Sequence, residues 1–156
     1  MIIRGPKPGQ VHIPQGELTM AIASVKEMVE VAKSEIDNIS PEEASRRAAE
    51  EGALIVDIRD VREMQRDGAI PGAMHAPRGM LEFWVSPDSP YTKEIFGEDR
   101  EFVLCCAGGM RSALSAKTLK DMGMEKISHI ETGFGGWQAD DMPIESYEEW
   151  KANRVR

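Results

Sequence analysis

The residues with the clearest chemistry are two adjacent cysteines, Cys105 and Cys106. They close the apolar run Phe102 to Cys105 and lead into Ala107, Gly108, Gly109, Met110, Arg111 and Ser112. The run has the length and character of a buried parallel strand, and Arg111 to Lys120 carries apolar residues at helical spacing. A thiol therefore stands where a strand ends, facing a glycine-rich turn that opens a helix. Successive N–H groups in such a turn converge on one point and suit an anion. The helix start adds unpaired donors and the positive end of its dipole. That setting favours thiolate over thiol, and the same donors can hold an anionic sulfur or oxyanion substrate against it. Glycine fits the turn because it permits positive φ and close approach of a ligand to the backbone. The chemistry is nucleophilic catalysis through a covalent cysteine intermediate. The plain alternative is a small core residue at a strand end.

Strand alternation separates the two thiols. With Cys106 at the strand's mouth, Cys105 points the other way, into packing. Adjacent cysteines make only a strained disulfide. With no other cysteine in the chain, a disulfide framework is excluded and a reducing compartment, the cytoplasm, is expected.

Other elements must bring partners to this point. Residues 1 to about 17 hold three prolines and three glycines and read as an extended arm, with His12 an isolated surface histidine. From Leu18 to Ile36, apolar residues at Ile22, Val25, Val29, Ala32 and Ile36 form one stripe of an amphipathic helix. This helix either covers an edge of the main domain or makes a homodimer contact. Ser40, Pro41 and Glu43 mark the next helix start, as N-cap, first helical residue and capping-box acid. Ala53 to Ile58 is a continuous apolar strand, as expected with helices on both faces of the sheet. Asp57 and Arg59 lie at its carboxyl end, the edge where active sites of open parallel sheets gather. Asp57 is expected to support neighbouring loops or to cap the helix begun by Asp60 and Glu63.

Gly68 to Gly72 reads as a turn and Ala73 to Ala76 as a short strand, with His75 a structural histidine more readily than a general base. Arg78 to Trp84 supplies a cation, an acid and two aromatics that either line the pocket or bury themselves. After the helix that Gly123 ends, Ile127 to Ile130 is a last strand, Trp137 packs on the core, and the charged tail from Ser146 forms a short helix. Alternating strands and helices imply a three-layer α/β fold with a mostly parallel sheet of about five strands.

Four stretches, in order, resemble the rhodanese family. Cys106 to Arg111, followed by Ser112, matches its active-site loop, Cys-x-x-Gly-x-Arg-Ser. Leu54 to Arg59 is similar to its first strand, ending in Asp-x-Arg. Gly68 to Ala73 is similar to its Gly-His-Ile-Pro-Gly-Ala turn, with Ala69 where a histidine is usual. Thr132 to Trp137, with Pro143 and Ile144, is similar to its closing segment. The resemblance covers about residues 39 to 150. It divides the chain into an arm and helix (1–38), a rhodanese-like domain (39–150) and a charged tail (151–156).

The resemblance implies a sulfurtransferase. Cys106 would take a sulfane sulfur from thiosulfate or a persulfide, hold it as a persulfide against the N–H groups of Ala107, Gly108, Gly109, Met110 and Arg111, and pass it to cyanide or a thiol. Arg111 would bind a sulfonate or tie the loop to a carboxylate such as Asp57, and Asp57 and Arg59 would be supporting residues. No cofactor and no metal are called for. Two other uses compete. Counted from Cys105, the spacing becomes Cys-x5-Arg, that of cysteine phosphatases and arsenate reductases. Rhodanese-like domains also act as non-catalytic binding modules.

Composition is consistent with one soluble domain. The chain has 156 residues, 41% hydrophobic and 29% charged, enough to bury a core without disulfide or metal. A net charge of −8 argues against nucleic acid and anionic membranes as partners. No apolar stretch reaches signal-peptide or membrane-spanning length.

Overall fold

The computed structural model describes Gly9 and residues 21–154. The arm up to residue 8, His12 and Leu18 lie outside the described residues. Five strands form one sheet: β1 (Asp37–Ile39), β2 (Leu54–Asp57), β3 (Met74–His75), β4 (Phe102–Cys105) and β5 (Ile127–Ile130), in the order β1-β5-β4-β2-β3. Every neighbouring pair is parallel. Seven α-helices connect and flank them among the described residues: α1 (Val25–Glu35), α2 (Pro41–Glu50), α3 (Val61–Asp67), α4 (Leu81–Val85), α5 (Met110–Asp121), α6 (Gly133–Ala139) and α7 (Tyr147–Asn153).

The central strands β2 and β4 are buried at every residue, and alternation splits them between two cores. Leu54, Val56, Phe102, Leu104 and Cys106 pack with Leu81, Ala116 and Leu119 under α4 and α5. Ile55, Val103 and Cys105 pack with Ala44, Phe134 and Trp137 under α2 and α6. The two cysteines thus face opposite layers, as alternation requires.

Sequence and structure differ at two elements. Of the expected helix from Leu18 to Ile36, the described residues 21–24 are not helical and α1 begins at Val25, where the Ser24 side chain accepts the Glu27 N–H. Of its stripe, Val29 and Ala32 pack on Ala113 of α5, whereas Ile22 and Val25 are exposed. Strand β1 was not anticipated. Its three residues, two of them polar, carry no strand pattern of their own and are extended because they pair with Ser128, His129 and Ile130 of β5.

The helix starts are local, as read. Ser40 accepts the Glu43 N–H with Pro41 in the first turn, but the Glu43 carboxylate turns away to Arg46 and Arg47. Asp60, not Asp57, caps α3, with Glu63 completing the capping box. The tail helix α7 docks by Trp150, whose indole N–H donates to the Ala73 carbonyl at 2.8 Å.

Candidate active site

Strand β4 delivers Cys106 to the carboxyl edge of the sheet, and the chain then turns through Ala107 to Gly109 into α5. Gly109 makes this turn with φ 97°, in the left-handed region that favours glycine. A Cβ there would stand 2.0 Å from the Glu131 carbonyl oxygen. The far wall is α6, whose Gly133 (φ 66°) approaches so closely that a Cβ would meet the Ala107 carbonyl at 2.5 Å. Two amides of this segment hold the loop's carbonyls: Phe134 N–H donates to Cys106 O at 2.7 Å and Gly135 N–H to Ala107 O at 3.0 Å.

With the carbonyls drawn outward, N–H groups face inward. Gly109 N–H donates to Cys106 Sγ at 3.1 Å and Ser112 N–H at 3.3 Å. The amides of Met110 and Arg111, in the first turn of α5, have no acceptor within the helix. Cys106 is nearly buried, whereas Ala107, Gly108 and Met110 are exposed at the rim. Two loop amides thus converge on one sulfur, an arrangement suited to a thiolate or to an anion bonded to it.

Cys105 has the opposite setting. It is fully buried in the second core, and burial pushes its thiol pKa well above the ordinary value, with the Asp57 and Cys106 charges adding to the shift. Its Sγ contacts only the Cys106 carbonyl, at 3.5 Å, among hydrogen-bonding partners.

The supporting pair Asp57 and Arg59 is closed on itself. Arg59 Nε and Nη2 donate to the Asp57 carboxylate, the shortest distance being 2.7 Å, and Nη2 also donates to the Gly68 carbonyl at 2.9 Å. The guanidinium lies over the Phe134 ring, 3.9 Å from its centroid. Since the Phe134 amide holds the Cys106 carbonyl, this pair braces the wall behind Cys106. Ala69 packs with Met64 and Trp150 and exchanges both backbone hydrogen bonds with Glu145.

Arg111 is tied to Glu63, not to Asp57. Its two terminal nitrogens donate to the two Glu63 oxygens at 2.9 Å each, which lowers the Glu63 pKa. The reason is geometric: both Asp57 oxygens are already occupied by Arg59, while the α3 cap presents Glu63 on the same sheet edge. His75 is engaged by the main chain, its Nε2 2.8 Å from the Arg59 carbonyl. Arg78, Gly79 and Glu82 line a cleft of about 340 Å³ against Leu114, Ser115 and Thr118 of α5. Trp84 lies under Lys93 instead.

Three polar residues behind the sulfur escaped sequence analysis as a group. Ser112 Oγ stands 3.4 Å from Cys106 Sγ and 2.8 Å from His129 Nδ1, and His129 Nε2 stands 2.7 Å from Asn38 Oδ1. The only sequence signal is a histidine inside an otherwise strand-like run. Burial pushes the His129 pKa down to about 4, Lys33 adds repulsion, and Asp37 opposes the shift. An unfolded chain, with the ordinary value of 6.5, binds this proton first as pH falls. The stability conferred by the neutral imidazole is therefore complete above about pH 6.5 and lost as pH falls toward about 4. Urea midpoints between pH 7.5 and 4.5 are expected to decline more steeply for the parent than for His129→Gln.

The rhodanese-like domain family model matches residues 40–140. The chain is 26% identical over 107 residues to the thiosulfate sulfurtransferase GlpE of Glaesserella parasuis, covering 69% of this chain and 91% of GlpE. Among solved structures, RPA3614 of Rhodopseudomonas palustris, described as a protein of unknown function and possible tyrosine phosphatase, is 47% identical with a TM-score of 0.77. That match covers 86% of this chain and all of RPA3614. The homodimeric polysulfide-sulfur transferase of Wolinella succinogenes is 28% identical with a TM-score of 0.62, covering 78% and 86% of the two chains.

Proposed function

This chain belongs to the rhodanese-like domain family, and we propose that it is a sulfurtransferase with Cys106 as its sulfur carrier. The observation that carries the proposal is the convergence of two loop amides, Gly109 N–H and Ser112 N–H, on Cys106 Sγ. In the first step the Cys106 thiolate attacks the outer sulfur of thiosulfate, or a sulfane sulfur of a persulfide or polysulfide. The S–S bond breaks and sulfite or a thiolate leaves with its electron pair. The Cys106 persulfide is then held by the amides of Ala107 to Arg111, which stabilise its charge without reorganising. In the second step a thiolate or cyanide takes the outer sulfur and Cys106 returns as thiolate.

Arg111 acts as a brace, because its two terminal nitrogens each donate to a Glu63 oxygen. Asp57 and Arg59 support the α6 wall. The reaction needs no cofactor and is assigned to the cytoplasm, and no helix among the described residues is long and apolar enough to cross a membrane. A second copy of the chain is the partner proposed for the uncovered Ile22 and Val25, by likeness to the Wolinella homodimer.

The description of RPA3614 favours a second reading, phosphoryl transfer. The Cys-x5-Arg count it would use makes Cys105 the nucleophile. The buried, core-facing position of Cys105 weighs against that, and the loop donors converge on its neighbour.

Intact mass after thiosulfate or polysulfide treatment tests the two together. The parent and Cys105→Ser are expected to gain one sulfur atom, removed by cyanide, and Cys106→Ser is expected to gain none. Uptake lost only in Cys105→Ser, together with hydrolysis of p-nitrophenyl phosphate, would replace the sulfurtransferase assignment by the phosphatase.

A further inference from the structure

We infer that Ser112 and His129 form a proton relay that takes the Cys106 thiol proton into the protein, with Asn38 fixing the histidine tautomer. The inference rests on the assignment of Cys106 as nucleophile and adds where its proton goes.

The orientation of each group follows from the one behind it. The Asn38 side-chain amide donates to two main-chain carbonyls, Lys33 O at 2.8 Å and Ile36 O at 3.2 Å. Only its NH₂ can make those bonds, so its Oδ1 faces His129 Nε2 as an acceptor. Nε2 must then carry the ring proton, which leaves Nδ1 as an acceptor in the neutral imidazole. The Ser112 hydroxyl, 2.8 Å away, donates to Nδ1 and presents its lone pairs to Cys106 Sγ at 3.4 Å. In the resting state the protons of the chain therefore run from thiol to hydroxyl to imidazole to amide. Ser112 is fully buried and His129 equally so, and no buried side-chain polar atom among the described residues lacks a partner. The chain is complete from Cys106 to Asn38, which is itself half-buried.

The transfer is balanced. Sγ–H breaks and its proton moves to Ser112 Oγ, while the Ser112 hydroxyl proton moves to His129 Nδ1. The products are a Cys106 thiolate, now accepting from Ser112 Oγ–H as well as from Gly109 and Ser112 N–H, and an imidazolium donating to Ser112 Oγ and Asn38 Oδ1. Nothing is oxidised or reduced. The charged groups facing the imidazole are Lys33 of α1, 3.9 Å from Glu131, and Asp37 of β1, paired with Arg47. From α5 and β4 the ring meets Ser112 and, through it, Cys106. Burial and Lys33 oppose a lone imidazolium, so the charge is carried only while the thiolate, one hydroxyl away, balances it. His129 is by this account a positioning and proton-holding residue, not one that touches substrate.

The test measures labelling of Cys106 by methyl methanethiosulfonate, a small neutral reagent displaced by thiolate, so that it does not depend on sulfur transfer. Thiol–imidazole and thiolate–imidazolium contain the same number of protons, so the parent's rate is expected to vary less than about threefold between pH 7 and 5. His129→Gln keeps a hydrogen-bonding side chain but cannot take the proton, so its rate is expected to fall about tenfold per pH unit. Ser112→Ala is expected to behave like His129→Gln, and Ser112→Thr, which retains the hydroxyl, to recover the flat profile. Should His129→Gln fail to fold, the Ser112 pair decides. Parallel pH profiles in parent and variants would overturn the relay, as would a parent that the reagent never labels. A parent with the flat profile that takes up no sulfur would overturn the sulfurtransferase assignment and leave the relay standing.

Discussion

Asp57→Ala is expected to destabilise the protein by about 3–5 kcal/mol, the cost of leaving a buried charge without its partner. Asp57 and Arg59 are essentially inaccessible, at 0% and 1% side-chain exposure. Arg59 has no route to water, and its remaining bond to Gly68 O and its contact with Phe134 do not replace the carboxylate. Urea unfolding of the parent, Asp57→Ala and the double variant Asp57→Leu/Arg59→Met checks this. The double variant, which removes both charges, is expected to recover most of the loss. If the single variant lost less than about 1 kcal/mol, the range of exposed pairs, the brace would carry no weight. Sulfur uptake should fall with Asp57→Ala even below its unfolding temperature, because Phe134 positions the Cys106 carbonyl.

Gly109→Ala acts directly on the loop. Alanine would have to hold φ 97° and place its Cβ 2.0 Å from a main-chain oxygen of Glu131. The backbone, not a flexible side chain, must therefore move. The left-handed strain alone costs on the order of 1–3 kcal/mol. Any shift also displaces the Gly109 N–H from the sulfur it donates to at 3.1 Å. Misplacement of about 1 Å at a reacting centre lowers rates on the order of 100-fold, and sulfur uptake followed by mass is expected to fall by that order. Gly108→Ala is the stability control, since a Cβ there meets nothing within 4 Å. Equal loss of stability in the two variants would sink the steric argument.

Much of the frame was legible because it is written in local patterns. Strand β2 and strand β4 fall where continuous apolar runs place them, and Ser40 caps α2 at the position the chain itself marks. The opposite facing of Cys105 and Cys106 follows from the period of two alone. What stayed hidden depends on pairing across distance. Strand β1 has no pattern of its own and exists through β5. Arg111 had a carboxylate partner in prospect, but choosing Glu63 over Asp57 required knowing that Arg59 already filled Asp57.

The relay behind the nucleophile shows the same division. Composition and motif placed a cysteine at the mouth of a parallel sheet within a rhodanese-like frame, because strand, turn and helix signals are short-range and lie within a dozen residues. Only tertiary structure joined Asn38 to His129, 91 residues apart, and both to Ser112. Parallel register sets β1 beside β5 and α5 across the sheet, and hydrogen bonds select their partners by position within about 3 Å, a scale at which sequence separation carries no information.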